Sequence, residues 1–159
     1  MAEFIHGNQS IHYELAGVRE FRLRTPVLLL HGNGEDMHIF DNMIAPLLGA
    51  KGFVLMDSRM QGESFSLDGG GEISYSAMAD DAAALMDELG INEYDIVGYS
   101  DGGIIALLMA MKSFKVRRFF TIGANTDPSG LTAKAVRGIK PHCGGRITRA
   151  MSVLRRCFQ

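Results

Sequence analysis

Length and composition place this chain among ordinary globular domains. It has 159 residues, of which 47% are apolar and 21% are charged, and its net charge is −2. These values exclude a disordered, collagen-like or low-complexity chain. The longest apolar runs, residues 27–30 and 104–111, are much shorter than the roughly 20 residues of a membrane-spanning helix. We therefore expect one soluble domain.

The N-terminus and the cysteines indicate a cytoplasmic protein. The first residues, with Glu3 followed by polar positions, lack the basic flank and the apolar stretch of a secretory signal. Cys143 and Cys157 both lie near the end of the sequence, where they could not anchor a disulfide framework for the whole fold.

Charge is distributed unevenly along the chain. Residues 1–111 carry five Lys and Arg against 17 Asp and Glu, whereas residues 112–159 carry eleven against one. A basic end of this kind raises nucleic acid or an anionic surface as a partner. However, the basic residues at 112–118 flank an apolar strand pattern, as ordinary solvated charges do. We favour this second interpretation, and nucleic acid is not the expected partner.

The predicted elements begin with a hairpin. Residues 3–6 and 11–15 have strand patterns, and residues 7–9 supply the turn between them. From residue 26 onward, strand patterns alternate with helical ones, which predicts an α/β fold with a predominantly parallel sheet and flanking helices. The later elements are predicted in this order: a strand at 27–30, a helix at 37–48, a strand at 53–56, a helix at 75–89, a strand at 95–97, a helix at 104–111 and a strand at 118–122.

Two of these elements carry clear patterns of burial. The continuous apolar run at 27–30 is typical of a strand that is covered on both faces. The helix at 75–89 is amphipathic, since its apolar residues recur at helical spacing. Its polar side is expected to face solvent and consists of Asp80, Asp81, Asp87 and Glu88.

A G-x-S-x-G motif, Gly98-Tyr99-Ser100-Asp101-Gly102, lies where a strand leads into a helix. A serine in such a sharp turn has its hydroxyl clear of the backbone, and its flanking positions must be very small. The following helix directs its N-terminal N–H groups at the serine, so the N–H of Asp101 can stabilise an oxyanion. Ser100 is therefore the candidate nucleophile. The other interpretation is a serine that only caps a helix.

A second glycine-rich segment, His31-Gly32-Asn33-Gly34, directly follows the strand at 27–30. The second oxyanion donor is expected from this loop. Asn33 is the best candidate, because its neighbouring glycines let the backbone approach a substrate closely. We expect His31 to hold the loop by hydrogen bonds rather than to act as the general base.

Together these segments resemble the α/β-hydrolase superfamily, over about residues 10–132. The HGNG sequence at 31–34 is similar to the family's oxyanion loop, and GYSDGG at 98–103 is similar to its nucleophile elbow. The resemblance implies a serine hydrolase fold.

A third segment, DSRMQGES at residues 57–64, is similar to the D-x-R-G-x-G-x-S sequence that follows the fourth strand in many members. Met60 stands where the family usually has glycine, and this departure bears on how tight the loop can be. For Asp57 and Arg59 we expect a structural ion pair or loop hydrogen bonds.

The resemblance also implies a triad in the chain order Ser, Asp or Glu, His. It makes the strand at 118–122 the sixth of eight, and after it only Asp127 and His142 are available as acid and base. Asp127 follows the sixth strand, a position from which some family members supply the acid, but no strand follows to fix the position of His142. We therefore interpret the chain as the N-terminal portion of an α/β-hydrolase, with a core at 1–140 and a basic amphipathic tail at 141–159.

A core that stops at this strand leaves apolar side chains at 119–122 on an open sheet edge. The tail at 141–159 could cover the edge, or a second copy of the chain could pair with it in a homo-oligomer. We favour the tail, because Arg117 and Arg118 from two copies would repel each other.

These observations predict a hydrolase of carboxylic esters or related acyl compounds, with a small-molecule acyl substrate as its partner. Ser100 would be the nucleophile, and the backbone N–H groups of Asn33 and Asp101 the oxyanion donors. Activity is expected to be impaired by the loss of the C-terminal acid and histidine. The alternative is a catalytically silent fragment or a small-molecule binding module. No cofactor is expected. No metal is expected either, because a closed zinc site needs four ligands and only three candidates lie near the end of the chain: His142, Cys143 and Cys157.

Overall fold

A computed structural model describes residues 2–125, which form one mixed sheet with helices on both faces. The strands are β1 (Ala2–His6), β2 (Gln9–Ala16), β3 (Val27–Leu30), β4 (Phe53–Met56), β5 (Phe65–Ser66), β6 (Tyr94–Tyr99) and β7 (Val116–Ile122). The α-helices are α1 (Asp41–Ile44), α2 (Tyr75–Glu88) and α3 (Asp101–Lys112). Short 3₁₀ segments lie at Val18–Arg22, Met37–Phe40 and Ala45–Leu47.

The strand order is β1-β2-β4-β3-β6-β7, and β5 pairs with β2. Strands β1 and β2 form the predicted N-terminal hairpin, and β2 runs antiparallel to β4. The pairs β4–β3, β3–β6 and β6–β7 are parallel. The α/β fold class, with a mostly parallel sheet and an N-terminal hairpin, is therefore confirmed.

Alternate side chains of the central strands enter two separate cores, as the pleat of a strand requires. Leu28 and Leu30 of β3 pack with α2 and α3 on one face. Val27 and Leu29 pack on the other face with the region around α1. All four are buried, which confirms that β3 is covered on both sides.

The segment predicted as a helix at 37–48 is helical over 37–47, but as three short segments rather than one regular α-helix. A 3₁₀ segment at Met37–Phe40 leads into α1, which spans only Asp41–Ile44, and a second 3₁₀ segment follows at Ala45–Leu47. Pro46 supplies the physical reason, since it has no N–H to continue a helical ladder and its ring crowds the preceding turn.

The prediction of a solvated polar face on α2 is wrong at one position. Asp81 is fully buried. It accepts two hydrogen bonds from Arg59, at 2.6 and 2.7 Å, and its Oδ1 lies 2.7 Å from Nδ1 of His6. A buried carboxylate is tolerated because these partners compensate its lost hydration.

The basic residues around β7 form ion pairs with acidic residues of neighbouring elements. Arg117 and Arg118 both contact Asp95, although consecutive strand residues normally point to opposite faces. The register between β6 and β7 shifts at Tyr94/Asp95, and such a bulge re-aims side chains. Two further pairs are Lys112–Asp80 at 2.8 Å and Lys115–Asp87 at 2.7 Å.

Within residues 2–125, β7 pairs only with β6, and its large apolar side chains are exposed: Phe119, Phe120 and Ile122. The predicted domain boundary at 140/141 and the predicted tail at 141–159 lie outside the described residues, as do Asp127 and His142. No helix in the described part of the chain is long and apolar enough to cross a membrane.

Candidate active site

Ser100 occupies a strained turn between β6 and α3. Strand β6 ends at Tyr99, α3 begins at Asp101, and Ser100 between them has φ 52° and ψ −116°. A positive φ is rare for a residue with a side chain and costs free energy that the surrounding structure must offset. The Ser100 N–H donates to the carbonyl of Ile122 at 2.7 Å, and its carbonyl accepts from the N–H of Gly103 at 3.0 Å. The sharp strand-to-helix turn predicted at Ser100 is therefore present.

The glycines of the motif are required by close backbone contacts. A Cβ atom on Gly98 would collide with the carbonyl of Gly102. One on Gly102 would collide with the carbonyl oxygen of Leu30, in β3. Any larger residue at these positions would push α3 away from the sheet and move the serine with it.

The glycine-rich loop after β3, at residues 31–34, lies next to Ser100. Strands β3 and β6 are parallel neighbours, so their carboxyl ends lie at one edge of the sheet. A Cβ atom on Gly32 would stand 3.1 Å from Cβ of Ser100 and 3.3 Å from Cδ1 of Tyr99. The fold thus brings the two motifs together. Asn33, the next residue along, is exposed at the surface of this loop.

Both ring nitrogens of His31 are occupied by structural hydrogen bonds. The backbone N–H of Ser58 donates to Nε2 at 2.9 Å, so Nε2 carries no proton. Nδ1 then carries the proton and lies 2.7 Å from the carbonyl oxygen of Gly32. This buried, neutral imidazole joins the loops that follow β3 and β4. The expectation that His31 holds the loop agrees with these contacts.

Asp57 braces the same two loops. Its buried carboxylate accepts from the backbone N–H of Met37 and from that of Glu63, both at 2.8 Å. A Cβ atom on Gly62 would collide with this carboxylate. The expected loop hydrogen bonds of Asp57 are therefore present.

Arg59 forms the expected ion pair, but its partner is Asp81 of α2 rather than Asp57. The guanidinium also donates to the carbonyl of Glu72 at 2.8 Å. The next residue, Met60, has φ 60°, a conformation that favours glycine. Met60 therefore adopts the left-handed backbone conformation that a glycine would adopt more easily.

Two carboxylates lie beside Ser100: that of Asp101, which the sequence analysis named only for its backbone N–H, and that of Glu35, which it did not name. Glu35 folds back to accept the N–H of Gly32 at 3.0 Å. Burial raises the pKa of Asp101, a hydrogen bond from Tyr75 lowers it, and the negative charge of Glu35 raises it further. A glutamate three residues beyond a backbone N–H is the spacing of a capping contact, and this signal could have pointed to Glu35.

Comparison with protein families gives one match, to the model described as alpha/beta hydrolase fold, over residues 25–150. This match covers more than half of the chain. It includes all three of the segments singled out above: 31–34, 57–64 and 98–103.

Solved structures of hydrolases share the architecture. A protein described provisionally as an epoxide hydrolase, from Pseudomonas aeruginosa, is 27% identical with a TM-score of 0.63, over 76% of this chain and 39% of its own. A thermophilic esterase from Thermogutta terrifontis is 26% identical with a TM-score of 0.65, over 79% of this chain and 44% of its own. Est816, an N-acyl homoserine lactone degrading enzyme, is 18% identical with a TM-score of 0.70, over 99% of this chain and 65% of its own. The chain thus spans about two fifths of the first two relatives.

Proposed function

Because the chain belongs to the alpha/beta hydrolase fold family, we propose that it is a serine hydrolase scaffold for carboxylic esters or related acyl compounds. In this proposal the Ser100 hydroxyl attacks the ester carbonyl, the C–O bond to the alcohol breaks, and the alcohol leaves with a proton. Water then cleaves the acyl-enzyme, which releases the carboxylic acid and regenerates the serine hydroxyl. A structurally similar protein is named as an esterase, which supports this substrate class.

The observation that carries the proposal is the backbone of Ser100. A serine that only capped a helix would have no need of a positive φ, because an N-cap residue ordinarily has extended dihedrals. Its side chain also makes no capping hydrogen bond to α3. Strain held in place by glycine contacts on both sides is typical of a functional site.

The oxyanion that forms in this reaction would be stabilised by backbone N–H groups. Asp101 is the first residue of α3, a helix of 12 residues, so its N–H is one of the free donors of the helix N-terminus. Asn33 is the second proposed donor. Its loop lies against Ser100 at Gly32, and a hydrogen bond from the Gly34 N–H to Gln61 Oε1, at 2.7 Å, holds its other end.

A full mechanism also needs a base to accept the serine proton. His31 is adjacent in the fold, but both of its nitrogens are engaged. The remaining candidates, Asp127 as acid and His142 as base, lie outside the described residues. If neither serves, the chain keeps the nucleophile and its surroundings but reacts slowly, by a factor that reaches about a millionfold when a triad fails as a unit.

An activity-based fluorophosphonate probe tests the proposal. The wild-type protein should be labelled much faster than free serine, and Ser100→Ala should abolish the labelling. Ser76→Ala is the matched control, because Ser76 is exposed on α2 and bonds only to Lys112 among the described contacts. Labelling of the wild type no faster than free serine would contradict the proposal.

The second candidate function is a silent fragment or a small-molecule binding module. The engaged nitrogens of His31 favour it, because this histidine of the loop beside Ser100 is committed to the scaffold. It predicts saturable binding of a small acyl compound, with no turnover and with labelling that Ser100→Ala leaves unchanged.

A further inference from the structure

Glu35 lies beside the serine at a distance that the geometry limits closely. A Cβ atom built on Gly32 would stand 2.6 Å from Oε2 of Glu35 and 3.1 Å from Cβ of Ser100. These two atoms are therefore at most 5.7 Å apart, the sum of 2.6 and 3.1 Å. An acyl group bound to Ser100 would be placed within reach of this carboxylate.

The charge of Glu35 is not neutralised by a neighbouring lysine or arginine. Within residues 2–125, neither Glu35 nor Asp101 forms an ion pair with a basic side chain. Arg59, the arginine of the adjacent loop, is committed to Asp81 and Glu72. Both ring nitrogens of His31 are engaged by the backbone, at the Ser58 N–H and the Gly32 carbonyl, so His31 makes no hydrogen bond to Glu35.

We propose that Glu35 is a specificity-determining residue, which selects acyl compounds carrying an ammonium group within a few bonds of the carbonyl carbon. This inference rests on the proposed function of Ser100. It adds the charge of the substrate, about which the family assignment says nothing.

The physical reason lies in the charge that develops during acyl transfer. Attack on a carbonyl creates an oxyanion, and a carboxylate within 6 Å of the reacting serine opposes that negative charge unless a cation is also present. An ammonium group on the substrate offsets both charges. A substrate with its own carboxylate adds repulsion, so the site discriminates against it.

Paired fluorophosphonates test this selection, one with a neutral alkyl group and one with a trimethylammonium group of similar size. The cationic probe should label the wild-type protein about tenfold faster than the neutral one, as expected for a half-buried charge pair. Glu35→Gln should abolish this preference while leaving the rate with the neutral probe equal or higher, because Gln keeps an oxygen for the Gly32 N–H.

Glu88→Gln is the matched control. It removes the same charge from the exposed end of α2, thirteen residues and about 20 Å along the helix from Tyr75, which contacts Asp101. The cationic preference should survive in this variant. Equal labelling by both probes in the wild type, or an unchanged preference in Glu35→Gln, would overturn the inference.

A binding measurement tests the charge selection by Glu35 without relying on the reactivity of Ser100. Calorimetric titration with benzyltrimethylammonium should give an affinity that falls about tenfold in Glu35→Gln and is unchanged in Glu88→Gln. If no probe labels Ser100 but this cation binds through Glu35, the proposed hydrolase function fails and the charge selection stands. If labelling occurs with no charge preference and the cation does not bind, only the charge selection fails.

Discussion

Gly32 and Ser100 lie side by side, and a side chain at position 32 would press tightly against the serine. A Cβ atom at position 32 would be 3.1 Å from Cβ of Ser100 and would displace the carboxylate of Glu35. A side chain at position 32 would therefore force Glu35 to move and the turn at Ser100 to shift by a few tenths of an ångström.

The first prediction is that Gly32→Ala slows fluorophosphonate labelling of Ser100 by about tenfold or more, because small displacements of reacting groups carry large costs in rate. Gly70→Ala is the control, since a Cβ there meets nothing closer than 3.4 Å. Labelling rates of both variants, measured at equal protein concentration, check this. Equal rates in the two variants would show that the contact does not matter for the serine.

The second prediction concerns the buried ion pair of Arg59 and Asp81. Asp81→Asn should lower the free energy of unfolding by about 3–5 kcal/mol, because it leaves the guanidinium buried without a counter-charge. Asp80→Asn, one residue earlier, breaks only the exposed pair with Lys112 and should cost less than about 1 kcal/mol. Urea denaturation followed by circular dichroism measures both. Similar losses of unfolding free energy in the two variants would contradict the prediction, because the buried pair would then stabilise the protein no more than the exposed pair.

The third prediction is that Met60→Gly stabilises the protein, by roughly 1 kcal/mol, since glycine adopts φ 60° without the steric cost that methionine bears. Met60 is 44% exposed, so little apolar burial is lost. Met111→Gly is the matched control: its exposure is also 44%, but it lies in α3, where glycine should destabilise by about 1 kcal/mol. Thermal unfolding should therefore shift in opposite directions for the two variants.

The fourth prediction is that Asp101 and Asp68 have opposite effects on the pH dependence of stability. Burial raises the pKa of Asp101, so the stability that its protonation contributes is complete below the unfolded value of about 3.9 and is lost as pH rises through the folded value. Relative to Asp101→Asn, the wild-type protein should become less stable as pH rises from the unfolded pKa towards the raised folded pKa.

Asp68 is the opposite case. The Gly70 N–H, followed by the side chains of Ser66 and Asn8, lowers the pKa of Asp68. Its contribution is present above the unfolded value and is lost as pH falls through the lowered folded value. Relative to Asp68→Asn, the wild-type protein should therefore gain stability as pH rises. Urea denaturation of the three proteins between pH 3 and 7 measures both differences, and slopes of the same sign would contradict the assignment.

The fifth prediction concerns the apolar edge of β7. Phe120 is 64% exposed on this edge, where β6 is the only partner of β7 among the described residues. We expect deletion of residues 141–159 to convert a monomer into an aggregating species, because exposed edges invite pairing with another chain. Size-exclusion chromatography with light scattering measures this. A truncated protein that stays monomeric and equally stable would rule out a role for the tail at this edge.

Local patterns were sufficient to predict most elements of the described fold and the position of the nucleophile motif. The alternation of apolar runs located the strands to within a few residues, and the glycines around Ser100 indicated its turn. The segment predicted as a helix at 37–48 is helical over 37–47, but it consists of three short segments, because Pro46 interrupts the regular hydrogen bonding of an α-helix.

What the sequence by itself determined about this protein is therefore the set of properties that depend on neighbouring residues: the strand and helix periods, the glycine-rich turns and the family resemblance. Only the tertiary structure decided that Asp81 is buried, that Arg59 is its partner 22 residues away, and that Glu35 lies beside Ser100. The physical reason is that backbone conformation follows from local sterics, whereas these contacts depend on the order of strands in the sheet and on which loops meet at its carboxyl edge.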